Sequence, residues 1–412
     1  MSSLRNTLTP FFKARDGAVA PILVFAAIPL LATVGAAVDY SRASNARATM
    51  QAALDASGLA LAKQNVSADA LAQAAQSYFN ANFLVAGMSE VHVTASAGAI
   101  SGGTSLTLSA AGSEPTTFMR MVGYSAFPIS VTTKVIRIAD GLGCVLALNP
   151  SASASITGQG SPSVSLTGCS LYDDSSSPTA VTVGGSAKIS ALSVGVVGGV
   201  SNANNGLITD QGIMTGMGPI ADPYADVNYP SFSGCDQRNY KPKASTTISP
   251  GVYCGGISIN AGVALTLNPG IYYMDGGDLT VNGGATLSGT GVTIVFTSKS
   301  NNNYATATIN GNATVNLTPP IAGPTAGISM FGDRAMPLGT TIKLNGGSTQ
   351  YIGGAIYFPT GNVQYAGGAD TSTSCTQIIG DTVTFVGNSA VAVNCSSYKT
   401  RPFSALVVRL VQ

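Results

Sequence analysis

The chain reads as a transmembrane helix at 17–38, a small α+β module at 39–140, and a Gly/Asn-rich parallel β-helix, or solenoid, over 141–412. A β-sandwich is the alternative for the last part. Three observations predict this order. Residues 17–38 hold no charge; the apolar spacing changes from helical to alternating near residue 91; and a degenerate strand–corner–strand pattern recurs from residue 154 onward.

The run `GAVAPILVFAAIPLLATVGAAV` at 17–38 has the length that crosses a hydrocarbon core about 30 Å thick at 1.5 Å per helical residue. Arg5, Lys13, Arg15 and the amino terminus precede it, opposed by Asp16, so the positive-inside tendency keeps residues 1–16 cytoplasmic and exports everything from Asp39. Pro21 and Pro29 are tolerated better in a membrane helix than in a soluble one. A cleavable signal peptide is the alternative, with Val34-Gly35-Ala36 as its small-residue site. The apolar core of a signal is usually 7–15 residues long, shorter than this run.

Composition narrows the function. Charged residues make up 9% of the chain, against about 25% in an ordinary soluble domain. Net charge is +1 with no basic block beyond the amino-terminal segment, which argues against nucleic acid as a partner. Gly is abundant at 49 residues, but 45% hydrophobic content with β-branched alternation speaks for packed strands over disorder.

Residues 40–64 continue as a helix, with Met50, Leu54 and Leu61 on one face. Ser67 with Asp69 opens a second helix to about Leu84, carrying Leu71, Tyr78 and Phe79 inward. Alternation then takes over at 91–95 and 105–108, with a turn at Ser101-Gly102-Gly103 between. Pro115–Gly123 reads as a short helix with Phe118 and Met121 inward, and another strand starts at Ile129. His92 sits on a strand as a surface residue.

Beyond Gly141 the repeats are `ASITGQG` (154–160), `VTVGGSAKI` (181–189), `ISINAGVALTL` (257–267), `LTVNGGATL` (279–287), `ATINGNATVNL` (307–317), `IKLNGGSTQ` (342–350) and `VTFVGNSAVAV` (383–393). A gap after Val181 holds a missed copy or a long insertion. `SPGVYCGG` at 249 and `NPGIYYMDGG` at 268 repeat a Pro-Gly pair suited to a type II turn. Such coils cannot bury their inward residues alone, so they stack about 4.8 Å apart around a shared core. Gly and Asn turn the corners, and stacked Asn side chains bond between coils. Tyr253, Tyr272, Tyr273, Tyr351, Tyr357 and Tyr365 are read as stacking between coils in preference to facing a ligand.

The six cysteines, Cys144, Cys169, Cys235, Cys254, Cys375 and Cys395, all follow the apolar run, where an even count points to disulfides. The sequence alone does not select one connectivity. Separations of 25, 66, 19, 121 and 20 residues favour sequential pairing, 144–169, 235–254 and 375–395. Zinc is disfavoured: there is no CxxC, and His92 is the one histidine.

Parallel β-helices include polysaccharide lyases and hydrolases, which need clustered carboxylates or bases. No glutamate follows Glu114. Asp173, Asp174, Asp210, Asp222, Asp226, Asp236, Asp275, Asp278, Asp333, Asp370 and Asp381 are scattered, largely beside Gly, Pro or Asn, as turns use them. Asp222 and Asp226, with Asp210 and Asp236 nearby, are the set best able to carry a carbohydrate or calcium contact. No Walker sequence accompanies the glycines. No catalytic residue, metal or cofactor is expected.

The amino-terminal segment resembles the TadG-like Flp/Tad pilus-assembly proteins. The residues concerned are Arg15-Asp16-Gly17-Ala18-Val19, Phe25-Ala26, Pro29-Leu30, Val38-Asp39, Met50 to Ala56 and Leu59 to Ala62, and more loosely Phe118 to Arg120 and Gly123 to Val131. `PGVY`, `PGIYY` and 289–294 look like the Gly-rich tail of some members. The resemblance implies a single-pass inner-membrane protein with a cytoplasmic amino terminus, a periplasmic bulk, and other Tad/Flp assembly proteins as partners. The related pseudopilin branch is processed at Gly with Glu in the fifth position; here Ile22 stands there. Many TadG-like chains carry a DxSxS metal motif. Asp173-Asp174-Ser175-Ser176-Ser177 satisfies the string but lies among the repeats, where it reads as a polar loop. The expected function is a scaffold component of pilus assembly. An exported β-helix that binds or degrades cell-envelope polysaccharide is the alternative.

Overall fold

The computed structural model describes residues 19–411 except 65, 85–86, 89–90, 101–102, 140, 159, 348–349, 368–374, 393–394 and 396. Arg5, Lys13, Arg15, Asp16, Asp370 and the first two residues of the predicted span therefore lie outside the described residues, as does most of the 101–103 turn. The chain forms two compact units: 1–138 with 407–412, and 139–406. The second is thus an insertion before the last strand of the first.

In the first unit, α1 (Val19–Lys63) is one unbroken helix through Pro29. Its two halves differ sharply. From Ala46 the apolar positions Met50, Ala53, Leu54 and Leu61 are buried, as their spacing predicts. Earlier, Leu23, Phe25, Ile28, Leu30, Leu31, Val34 and Val38 are exposed. Among the described residues no helix is long and apolar enough to cross a membrane, so the predicted transmembrane helix is not a finding of the structure. The second helix, α2 (Ala68–Asn82), buries Leu71, Ala75 and Phe79, although Ser67 makes no side-chain cap. Both helices pack on a four-stranded sheet of β1 (His92–Ile100), β2 (Gly103–Pro115), β3 (Ala126–Ala139) and the last strand, Leu406–Val411, with β1, β2 and β3 antiparallel. Leu108, Val131 and Val135 supply its side of the core. His92 is exposed on β1.

The second unit is mostly β, and every pairing described between its strands is parallel, which removes the hairpin-built sandwich. Each coil has three straight faces. Residues 251–254, 257–259 and 264–267 form one coil, and the next pairs with it at 270–275, 279–281 and 286–290. The repeats read from the sequence lie in register. Ile259 pairs with Val281, Val281 with Ile309, Ile309 with Leu344, Leu344 with Tyr365, Tyr365 with Phe385, Phe385 with Gly158, and Gly158 with Val183. Their inward side chains merge into one apolar core. At the corner after this face, Asn282 Nδ2 bonds the Ile259 carbonyl at 3.0 Å and Asn310 Nδ2 bonds Asn282 Oδ1 at 3.3 Å, the expected asparagine ladder.

The stacking order does not follow the chain. The coil at 376–392 carries the coil of 143–167 on its far side: Ile379 pairs with Leu146, Val383 with Ile156 and Val391 with Leu166. The stack therefore runs from 237 to 392 and then continues with 143–214. The gap after Val181 holds both a missed coil, 194–209, and a long insertion, 215–236, whose one element is a turn at 223–226.

That insertion has a physical task. On the first face both sides of the sheet are apolar. Val252, Tyr273, Val295, Phe331, Tyr357, Ile379, Leu146 and Tyr172 align from coil to coil as an outward stripe. The strap lies along it in order: Met217 against Gly195, Ile220 at Asp174, Tyr224 on Tyr357, Tyr229 on Phe331 and Phe232 on Tyr273. About eight spacings of about 4.8 Å make roughly 40 Å, or about 2 Å per strap residue, well within reach of an extended chain. The Cys235–Cys254 disulfide fastens its far end.

Two local expectations are corrected. The Pro-Gly pairs do not place glycine as in a type II turn, because each glycine already starts a strand; Gly270 has φ +140°, and a Cβ there would lie 2.3 Å from Pro250 of the coil beneath. Close approach fixes glycine there. The helical turn at Met119–Val122 leaves Phe118 and Met121 exposed instead of inward, because its backbone is what binds α1.

Candidate functional site

Asp39 ends the apolar stretch of α1, and it is 2% exposed. Its Oδ1 accepts the Thr117 amide at 2.9 Å, and its Oδ2 accepts those of Phe118 and Met119, each at 2.8 Å. Burial pushes this carboxyl up, but the amides and Arg42 together outweigh it and hold it below the ordinary range. Arg42 also reaches Thr117 Oγ1 at 2.8 Å and Glu114 at 3.1 Å. Val38-Asp39 is among the residues that carry the family resemblance, but nothing in the sequence marks the amides of 117–119 as the partners of this carboxylate.

The acidic set of the strap is brought together only in part. Asp222 Oδ2 accepts the Tyr357 hydroxyl at 2.7 Å, and Asp222 Oδ1 accepts the Tyr224 amide at 2.9 Å. Asp226 pairs with Arg401, which holds it below the usual carboxylate range. Asp236 accepts the Val252 amide at 2.7 Å, at the opposite end of the strap, and Asp210 is exposed on an earlier coil. Asp278 bonds Thr306 and Asp275 the Lys299 amide. Asp333 takes the Tyr229 and Thr297 hydroxyls, and Asp381 takes Asn149. Asp210 apart, these carboxylates bond within the fold, mostly joining one coil to the next or to the strap, Asp226 doing so at the surface.

Asp173, the first residue of the DxSxS string, is 1% exposed at the end of the strand Ser170–Asp173. It accepts the Ser155 hydroxyl and the Ser175 amide at 2.9 Å; burial outweighs these bonds and pushes it up to about 6. Asp174 is likewise pushed up to about 6 by burial, its carboxylate holding the Ile220 amide at 2.7 Å. Ser175 and Ser176 bond the carbonyls of Ala152 and Pro150 in the neighbouring coil. The string thus staples coils and the strap. Among the described residues no group of three or more His, Cys, Asp or Glu is placed to hold a metal.

The disulfides pair sequentially, Cys144–Cys169, Cys235–Cys254 and Cys375–Cys395, with Cα separations of 5.7, 5.8 and 4.8 Å. Each spans about one coil. Of the tyrosines, Tyr253 and Tyr272 stack at 5.8 Å inside the core, and each hydroxyl returns to the carbonyl four residues earlier. Tyr365 is in the core, and Tyr351 meets Tyr398 at 3.3 Å. Tyr273 and Tyr357 lie under the strap. The strap's own anchor, Tyr224, was missed. Its signal is the consecutive apolar residues on the first face, such as 294–296 and 355–358, which require a cover on the outer side.

No curated protein and no solved structure matches the chain. A family model does match, described as putative Flp pilus-assembly TadE/G-like, over residues 17–64. Those residues take in the whole of α1, its bare half and its packed half together. The chain therefore carries a TadE/G-like Flp pilus-assembly segment in its first helix.

Proposed function

We propose that the chain is a membrane-anchored structural component of Flp/Tad pilus assembly, acting as a scaffold through protein–protein contacts without catalysis. In this reading it spans the inner membrane once, with residues 1–16 cytoplasmic and the bulk periplasmic. One observation carries it: a single helix leaves Leu23, Phe25, Ile28, Leu30, Leu31, Val34 and Val38 bare and becomes core from Ala46, and the TadE/G-like match covers both halves. Bare Leu, Ile and Phe on every turn are a liability in water, and lipid removes it. The disulfides fit an oxidising compartment. The carboxylates of the strap, engaged within the fold, suit a scaffold better than an acid–base pair.

Protease added to osmotically opened cells tests this. The bulk is expected to be digested there, spared in intact cells, and recovered with the inner membrane before digestion. Recovery in the cytosolic fraction, or polysaccharide turnover abolished by Asp222→Ala and Asp226→Ala, would overturn it.

A further inference from the structure

We propose that the turn at 118–124 is a second membrane contact, a foot seated in the headgroup–acyl boundary on the exported side of the bilayer that α1 enters. It rests on the membrane-anchored reading and adds an interfacial site that the helix alone does not require.

The turn carries an apolar tip that the described residues of the first unit leave exposed. Phe118, Met121, Val122 and Tyr124 are all exposed, Met121 at 87%. Exposed apolar side chains clustered on one short turn mark an interaction surface. Its position names the occupant. Phe118 packs on α1 at Gly35, where an added Cβ would fall 2.6 Å from the Phe118 Cβ. Gly35 lies inside the apolar run that ends at Val38. At 1.5 Å rise per residue, Phe118 therefore sits about 4–5 Å inside the end of that run. Interfacial elements bury their apolar faces to about 5–10 Å.

The polar groups of the turn are arranged as lipid demands. Backbone donors have no water to bond in an apolar layer, so they must be paired internally. The amides of Thr117, Phe118 and Met119 go to Asp39, that of Met121 to the Phe118 carbonyl, that of Gly123 to Arg120, and that of Tyr124 to Met119. The charge nearest the apolar run, Asp39, is turned inward onto those amides and is away from lipid. Arg120, exposed beside the tip, has the long stem and cationic head that reach lipid phosphates. Tyr124 and Tyr40, both exposed, are of the aromatic type enriched at this depth.

The chain has no tryptophan, so a single introduced indole reports its own position. Full-length protein carrying Met121→Trp, Leu31→Trp or Leu338→Trp is reconstituted in phosphatidylethanolamine–phosphatidylglycerol vesicles containing brominated lipid. Met121 and Leu338 are exposed, so the fold tolerates an indole at either. The Met121→Trp protein is expected to emit at shorter wavelength than the Leu338→Trp protein. It should be quenched more by bromine near the headgroup end of the acyl chain than by bromine near the terminus. Leu31→Trp should be quenched by acyl bromine at any depth. Solvent-like, unquenched emission from Met121→Trp with Leu31→Trp quenched overturns the foot and leaves the anchor standing, the tip then serving a protein partner. Unquenched Leu31→Trp overturns the anchor and the foot together.

Discussion

Tyr224 is the residue on which the strap turns, and its removal has a calculable effect. Its ring is fully buried, 5.4 Å from that of Tyr357, with the Arg401 guanidinium 5.7 Å away. Its hydroxyl donates to Gln377 Oε1 at 3.1 Å and accepts the Arg401 amide at 3.0 Å; burial pushes the phenol up to about 12, so it keeps its proton. Tyr224→Phe deletes these bonds and leaves the buried Gln377 oxygen without that donor, which costs about 1–3 kcal/mol. Tyr224→Ala also opens a cavity of aromatic size between the strap and the stripe, for a total of about 3–5 kcal/mol or somewhat more. Urea unfolding of the full-length protein in detergent measures both, and limited proteolysis reports whether residues 217–236 come loose first. The expected order is wild type, then Phe, then Ala, with new cleavage inside the strap. An Ala variant with an unchanged midpoint and cleavage pattern would refute the view that the strap is held on the stripe by this ring.

Three further outcomes follow from single positions. Gly270→Val should lower the denaturation midpoint, because the added Cβ meets Pro250 at 2.3 Å at a φ of +140°; an unchanged midpoint would mean the coils separate freely there. Asp173 holds its proton more tightly in the folded state, about 6 against 3.8, so its contribution is greatest in acid and is lost as pH rises through 6. Two units correspond to roughly 3 kcal/mol, and Asp173→Asn should flatten the fall in stability between about pH 4 and 6 seen by urea titration. Replacing both Cys144 and Cys169 by Ser should remove about 3 kcal/mol on the chain-entropy model for a loop of 25 residues, read as a lower midpoint without reductant.

What the sequence made legible was whatever a coil must repeat. The inward residues Val281, Ile309 and Leu344 and the corner residues Asn282 and Asn310 recur because every coil meets the same demands, and the structure stacks them in register. The cysteine pairs were legible for the same reason, their short separations matching one turn of the coil. Contacts made once were not legible. Asp39 with Thr117, or Tyr224 with Gln377, joins positions far apart, and neither residue type nor spacing marks such a partner. The exposed Phe118 and Met121 were misread for a related reason: an apolar residue in a short helical turn is assigned to a core unless something outside the protein can cover it.

The order of the coils is the fact least visible in the sequence, and it has its own consequence. In a stack, each coil is stabilised by the neighbours it touches, so a local defect spreads to adjacent coils before it reaches distant ones. Ile378 is buried at the junction and pairs with Ile356 below and Val145 above. Ile378→Ala removes about 2–5 kcal/mol from that layer. If coils were stacked in chain order, the damage would stay near 354–392, and residues 143–173 would not feel it. With the observed order, amide exchange should quicken in 143–147 and 170–173, far away in sequence, as well as in 354–358. It should stay slow in 251–254 and 270–275, which lie several coils away on the other side. Undisturbed protection at 143–147 beside a loosened 354–358 would show that the two ends of the chain do not share a junction. The strap would then have no reason to run the length of the stack, because it is the placement of 143–214 beyond 376–392 that obliges residues 215–236 to carry the chain from one end of the stack to the other.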